Sequence, residues 1–143
     1  MVQLQKHPID FLKLHELQMK IGQLGEAYVY KFECEKLVGT KYVDKIDESK
    51  ALDPSNGFDI LSFERDGKPL YIEVKATVGT EDKFYLSNHE LDTSKTMKVA
   101  GLKYVIYFVK GLMSDSPQLT IITDISSNED YLLEEMNWKV TKI

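Results

Sequence analysis

Apolar residues recur at helical spacing from Ile9 to about Leu37, with Leu17, Ile21, Leu24, Tyr28 and Phe32 in register, so the pattern predicts one long helix or two shorter ones. Beyond it the period changes. "KYVDKI" (41–46) predicts a short strand, and "DESKALDPSNG" carries the Asp, Pro, Ser, Asn and Gly of a loop. "FDILSFE" (58–64) and "PLYIEVKATV" (69–78) flank "RDGK", the signature of a hairpin, and "FYLS" (84–87) follows. "NHELDTSKTMKVA" (88–100) predicts a short helix with Ser87 or Asn88 as its N-cap. "LKYVIYFVK" (102–110) is almost wholly apolar or aromatic and predicts a central strand, with "QLTIITDI" (118–125) as one more. The tail, "NEDYLLEEMNWKVTKI" (128–143), predicts a short helix and then an edge strand or coil. Helix, strands, helix and strand in this order give an α/β chain with a mixed sheet and helices packed on it.

Within the hairpin, Glu73 and Lys75 interrupt an otherwise apolar strand. Residues two apart share a face, so both charges point one way while Ile72, Val74 and Ala76 point the other. The partner strand carries Asp59, and the turn decides where it falls. A two-residue turn at Asp66-Gly67 pairs Arg65 with Lys68 and leaves Asp59 opposite Val74, away from the charges. A three-residue loop, Arg65-Asp66-Gly67 with Gly67 left-handed, pairs Glu64 with Lys68 and brings Asp59 across from Glu73. The second register is preferred because it sorts Phe58, Ile60, Ile72 and Val74 onto one face. Leu61, Phe63 and Tyr71 then share the other with Asp59, Glu73 and Lys75. Both faces are then largely apolar and call for covering helices.

Two carboxylates at cross-strand distance form an oxygen-rich pocket suited to magnesium or manganese, and an adjacent lysine can orient water or neutralise charge on a phosphate. A further acid is Glu26 in "IGQLGEAYV", where Gly22 and Gly25 would let the helix approach the sheet and carry Glu26 toward it. A solvated strand face is the simpler explanation for Glu73 and Lys75 alone.

Composition narrows the chemistry. The 143 residues are expected to form one domain, 1–143, with no apolar run long enough to span a bilayer. The N-terminus lacks a signal-peptide pattern, so a cytoplasmic protein is expected. One cysteine, Cys34, and three scattered histidines, His7, His15 and His89, make no thiolate or imidazole cluster, leaving carboxylates as metal ligands. A net charge of -5 argues against a broad nucleic-acid-binding surface, though not against a local basic groove. "HELDT" fails the HExxH zinc pattern because Thr93 stands where the second histidine belongs, and capping residues are the expected role there. Lys95, Lys98 and Lys103 suit either a phosphate backbone or a charge-balanced surface, and Tyr104, Tyr107 and Phe108 are expected in the core.

"NGFDI" followed by a hairpin and "IEVK" resembles the PD-(D/E)xK nuclease superfamily. "IGQLGEAYV", "GFDILSFERDGKPLYIEVKAT", "FYLSNHEL" and "KYVIYFV", taken in order, resemble the domain at the C-terminus of NO VEIN proteins. The resemblance covers roughly Lys20 to Val109, with Phe58 where the superfamily pattern has proline. It implies a restriction-endonuclease-like α/β/α sandwich with a central mixed sheet. It carries the metal-binding acids onto Asp59 and Glu73, the catalytic lysine onto Lys75 and the helix acid onto Glu26, with the backbone carbonyl of Val74 as a third ligand. The implied activity is Mg2+- or Mn2+-dependent hydrolysis of phosphodiester bonds, in DNA first and RNA second. A helicase or restriction-system partner and a homodimer are further expectations, and a membrane is not. The competing expectation is a non-catalytic, nuclease-derived module for nucleic-acid recognition or partner binding.

Overall fold

The stripe that opens the sequence winds into one unbroken helix, α1 (Pro8–Lys36), rather than two. In the computed structural model, which describes residues 8–136 and 140–143, the strands are β1 (Ile60–Phe63), β2 (Pro69–Ala76), β3 (Lys103–Lys110) and β4 (Gln118–Thr123). A second helix, α2 (Asn88–Val99), joins β2 to β3. The sheet order is β1-β2-β3-β4. The outer pairs are antiparallel and β2 runs parallel to β3, a geometry that requires a crossover, supplied by α2.

Alternation along the strands builds two cores. On one face Ile60, Ile72, Val74, Val105 and Tyr107 enclose Val29 of α1. On the other Tyr104, Ile106, Phe108 and Ile122 pack with Tyr71 of β2 and Met97 of α2. A helix therefore covers each face. Gly25 brings α1 onto β2: a Cβ there would lie 2.6 Å from Cβ of Ala76. Gly22 contributes nothing to this approach, because the space beside it is open. The first core also buries an acid, Glu33, which accepts hydrogen bonds from Ser62 Oγ and Tyr107 Oη, both at 2.7 Å, and pairs with Lys36 Nζ at 2.5 Å. No helix among the described residues is long and apolar enough to cross a membrane.

Three expectations are corrected. Lys41–Ile46 is not a strand: Val43–Lys45 is a 3-10 turn, held by the Lys45 N–H donating to the Tyr42 carbonyl. Only Asp47, just beyond, pairs with β1, exchanging two 2.9 Å bonds with Leu61. The following loop is wound into two further 3-10 turns, Ser49–Leu52 and Pro54–Asn56. Phe58 leaves the Ile60 face and meets Tyr71 edge-on in the opposite core, ring centroids 5.2 Å apart. Finally, residues 128–136 form no helix. Asn128 accepts from the Asp130 N–H and donates to the Thr123 carbonyl, a local turn that competes with helix formation. Leu132 and Met136 stay exposed, so no buried face stabilises a helix there. Residues 137–139, within the same expected tail, and His7 lie outside the described residues.

Candidate functional site

The three-residue loop sets the hairpin register. Glu64 N–H donates to the Lys68 carbonyl at 2.8 Å, Gly67 takes φ +95°, and Ile60 pairs with Ile72. There the ladder breaks. Asp59 N–H also turns to the Ile72 carbonyl, at 2.8 Å, so two residues of the outer chain bear on one of β2, the arrangement of a β-bulge. Val74 thereby loses its strand partner, and Asp59 Oδ2 accepts the Val74 N–H at 2.8 Å in its place. Asp59 is thus not squarely across from Glu73 as expected. It reaches along β2 from the bulge to stand beside it. The N–H and C=O of one strand residue face the same edge, so the Val74 carbonyl opens into the same gap.

Glu73 and Lys75 point to the α2 side, since Tyr71 on the same strand face joins that core. Lys75 Nζ lies 3.4 Å from Glu73 Oε2 and 2.9 Å from Oε1 of Glu90, in the first turn of α2. Glu90 has a second task. Its Oε1 accepts the Ser87 N–H at 2.9 Å while Ser87 Oγ accepts the Glu90 N–H at 3.0 Å, closing a capping box. Sequence reasoning assigned this stretch to capping and missed the ion pair. Glu26, although on α1, comes into electrostatic reach of Asp59, with Glu48 nearby, where β1 has ended.

Three acids around one lysine are poorly neutralised. Burial first and Asp59 second push Glu73 up to about 10, against the opposing pull of Lys75. Its side chain hydrogen-bonds with both Asp59 and Glu90. Burial also raises Asp59, although the Val74 N–H opposes it. Burial would lower the Lys75 ammonium, but Glu73 and Glu90 outweigh that and hold it above lysine's usual value. Glu26 rises to about 7, through burial and then Asp59 and Glu48. Tyr104, which donates to the Gly57 carbonyl at 3.0 Å and so ties down the loop entering Asp59, is held well above the ordinary tyrosine range by burial and the same acids.

The Glu26 shift has a sign that can be measured. A carboxyl raised in the folded state binds its proton there over a range where the unfolded chain has released it, so stability from this group falls as pH rises from about 4.5 to about 7. Glu26→Gln removes that loss. The group is only half-buried and screened, so the variant should gain about 1 kcal/mol, or ~3 °C, over wild type at pH 8 relative to the comparison at pH 5. Thermal melts at the two pH values with an unchanged gap between the proteins would contradict this.

Asp59 and Glu73 are adjacent carboxylates and, with the Val74 carbonyl on the same strand edge, are the oxygens that could hold a hard divalent cation. Among the described residues no group of three His, Cys, Asp or Glu side chains is placed to hold a metal ion, so side chains would supply two ligands rather than three. The family described as Protein NO VEIN, C-terminal, matches residues 25–122, more than half of the chain. The chain belongs to that family. The match spans every element that builds the site, from Gly25 on α1 to Ile122 on β4. No curated protein and no solved structure matches the chain.

Proposed function

We propose that this NO VEIN C-terminal domain is a restriction-endonuclease-like, divalent-metal-dependent hydrolase of phosphodiester bonds, acting on nucleic acid, DNA before RNA. The observation that carries the reading is the broken edge of β2, where the Asp59 carboxylate accepts the Val74 N–H beside Glu73 and Lys75. Asp59 and Glu73 would hold the ion, with the Val74 carbonyl as a third oxygen. When bound, Mg2+ or Mn2+ supplies Lewis acidity for a phosphate oxygen and lowers the pKa of a coordinated water. The chain does the positioning. Glu90 holds the Lys75 ammonium at the mouth of the acid pair, where it can orient the attacking water or meet charge on the phosphate. Glu26 adds an acid at the open edge, where it can take up a proton or join the ligands through water. A helicase is a fitting partner, because so small an acidic domain has little surface with which to grip a substrate alone.

A second reading, a recognition module that keeps the cluster without catalysis, is favoured by the absence of a third side-chain ligand among the described residues and by the hydrogen bonds that tie Glu73 to Asp59 and Glu90. Metal titration tests the premise of the first. A ligand that prefers the folded state stabilises it by mass action, so Mn2+ at ten times Kd should raise the melting temperature by about 4 °C, corresponding to ~1.4 kcal/mol. Asp59→Asn should abolish the rise. An unchanged wild-type melt at millimolar metal favours the second reading.

A further inference from the structure

The two edges of the sheet are treated differently. The outer edge of β1 is occupied: Asp47 bonds Leu61 and the Tyr42 ring stacks on Phe63, centroids 5.6 Å apart. The outer edge of β4 pairs with nothing among the described residues. Its sequence, Gln118-Leu-Thr-Ile-Ile-Thr123, contains no charge and no proline, the devices by which exposed edges are normally guarded.

Which backbone groups are free follows from the ladder. Thr77 N–H donates to the Val109 carbonyl, so odd-numbered residues of β3 bond toward β2 and even-numbered ones toward β4. Lys110, Phe108 and Ile106 therefore exchange bonds with Gln118, Thr120 and Ile122. Leu119, Ile121 and Thr123 turn their N–H and C=O outward. The Thr123 carbonyl is already taken by the Asn128 amide at 2.8 Å. Leu119 and Ile121 remain, placed symmetrically about Thr120.

That pattern is self-complementary under a two-fold axis. We propose that β4 pairs antiparallel with β4 of a second copy of this chain, Thr120 facing its own counterpart, so that two four-stranded sheets join as one. Leu119 and Ile121 of one copy exchange four bonds with Ile121 and Leu119 of the other. The side chains match as well as the backbone. Ile121, which is 48% exposed, meets Leu119 of the other copy twice over, an apolar pair on the α1 face. The two Thr120 hydroxyls meet on the α2 face, a cross-strand pair that can hydrogen-bond. With no charge on either strand, nothing repels. This inference does not depend on the hydrolase reading.

The test uses register. Opposed residues at a non-hydrogen-bonded site have Cα atoms about 4.5 Å apart, within disulfide range. In a Cys34→Ser background, Thr120→Cys should therefore cross-link under mild oxidation at least tenfold faster than Gln118→Cys. Sedimentation velocity over a concentration series should show a dimer for wild type and a monomer for Ile121→Lys, with circular dichroism establishing that the variant is folded. Ile121→Pro, which removes an outward N–H and no bond to β3, should also be monomeric, and serves as the second variant should the lysine misfold. A wild type that stays monomeric overturns the proposal. So does a dimer that survives folded edge variants, or one abolished instead by Leu17→Lys on the exposed half of α1, or equal cross-linking at the two positions.

Discussion

Replacing Lys75 with alanine is expected to slow metal-dependent cleavage by about 10²–10³-fold, the typical cost of removing one preorganised group that meets transition-state charge. The ammonium is not free to wander. Glu90 holds it at 2.9 Å and Glu73 at 3.4 Å, and it is largely shielded from solvent, so its position relative to the acid pair is set before substrate arrives. Because Lys75 is assigned no ligating role, the variant should keep its fold and most of its affinity for Mn2+. Glu90→Gln tests the positioning separately. It keeps a side-chain oxygen for the Ser87 N–H but loses the charge that anchors Lys75, so the cleavage rate should fall by roughly tenfold, less than in Lys75→Ala. Initial rates under saturating metal, with the melting temperature as a control, decide both. A Lys75→Ala protein as active as wild type would remove lysine from the chemistry.

Glu33→Ala should cost about 3–5 kcal/mol of stability, the largest expected effect away from the site. Glu33 is fully buried and serves two buried hydroxyls and a lysine; truncating it leaves Ser62, Tyr107 and Lys36 without their acceptor and opens a cavity between α1 and the sheet. The cost belongs to the orphaned partners more than to the acid. Glu33→Met combined with Ser62→Ala and Tyr107→Phe, which removes the whole polar set at similar volume, should therefore recover most of the loss. Urea unfolding of the single and triple variants measures both. A small cost for Glu33→Ala would mean that water enters and satisfies the hydroxyls.

The hairpin was the most legible part of this sequence, and for a physical reason. Side-chain alternation permits only registers that keep apolar residues on covered faces, and the three-residue loop with left-handed Gly67 meets that condition. That register alone brings Asp59, Glu73 and Lys75 to one region of the chain. The bulge at Asp59 was not legible, because it depends on where the chain leaves β1 to reach the turns before it. It also swings Phe58 across to Tyr71. Glu90 was visible as the capping-box acid of α2. That the first turn of α2 lies over Lys75 depends on the course of residues 77–87, for which sequence periodicity carries no signal. The tail misled for the opposite reason. "DYLLEEM" has good helix formers, but only Tyr131 reaches the core while Leu132, Leu133 and Met136 stay exposed, and propensity alone does not hold so short a helix.

The central claim, that the broken edge of β2 is a phosphodiesterase site, is tested most directly by incubating purified protein with Mg2+ or Mn2+ and a panel of single-stranded, duplex, branched and modified DNA and RNA. At least one substrate should be cleaved, with cleavage lost on chelation and lost in Asp59→Asn at unchanged fold. Binding across the panel without cleavage, or cleavage that persists in Asp59→Asn and in chelator, would contradict it.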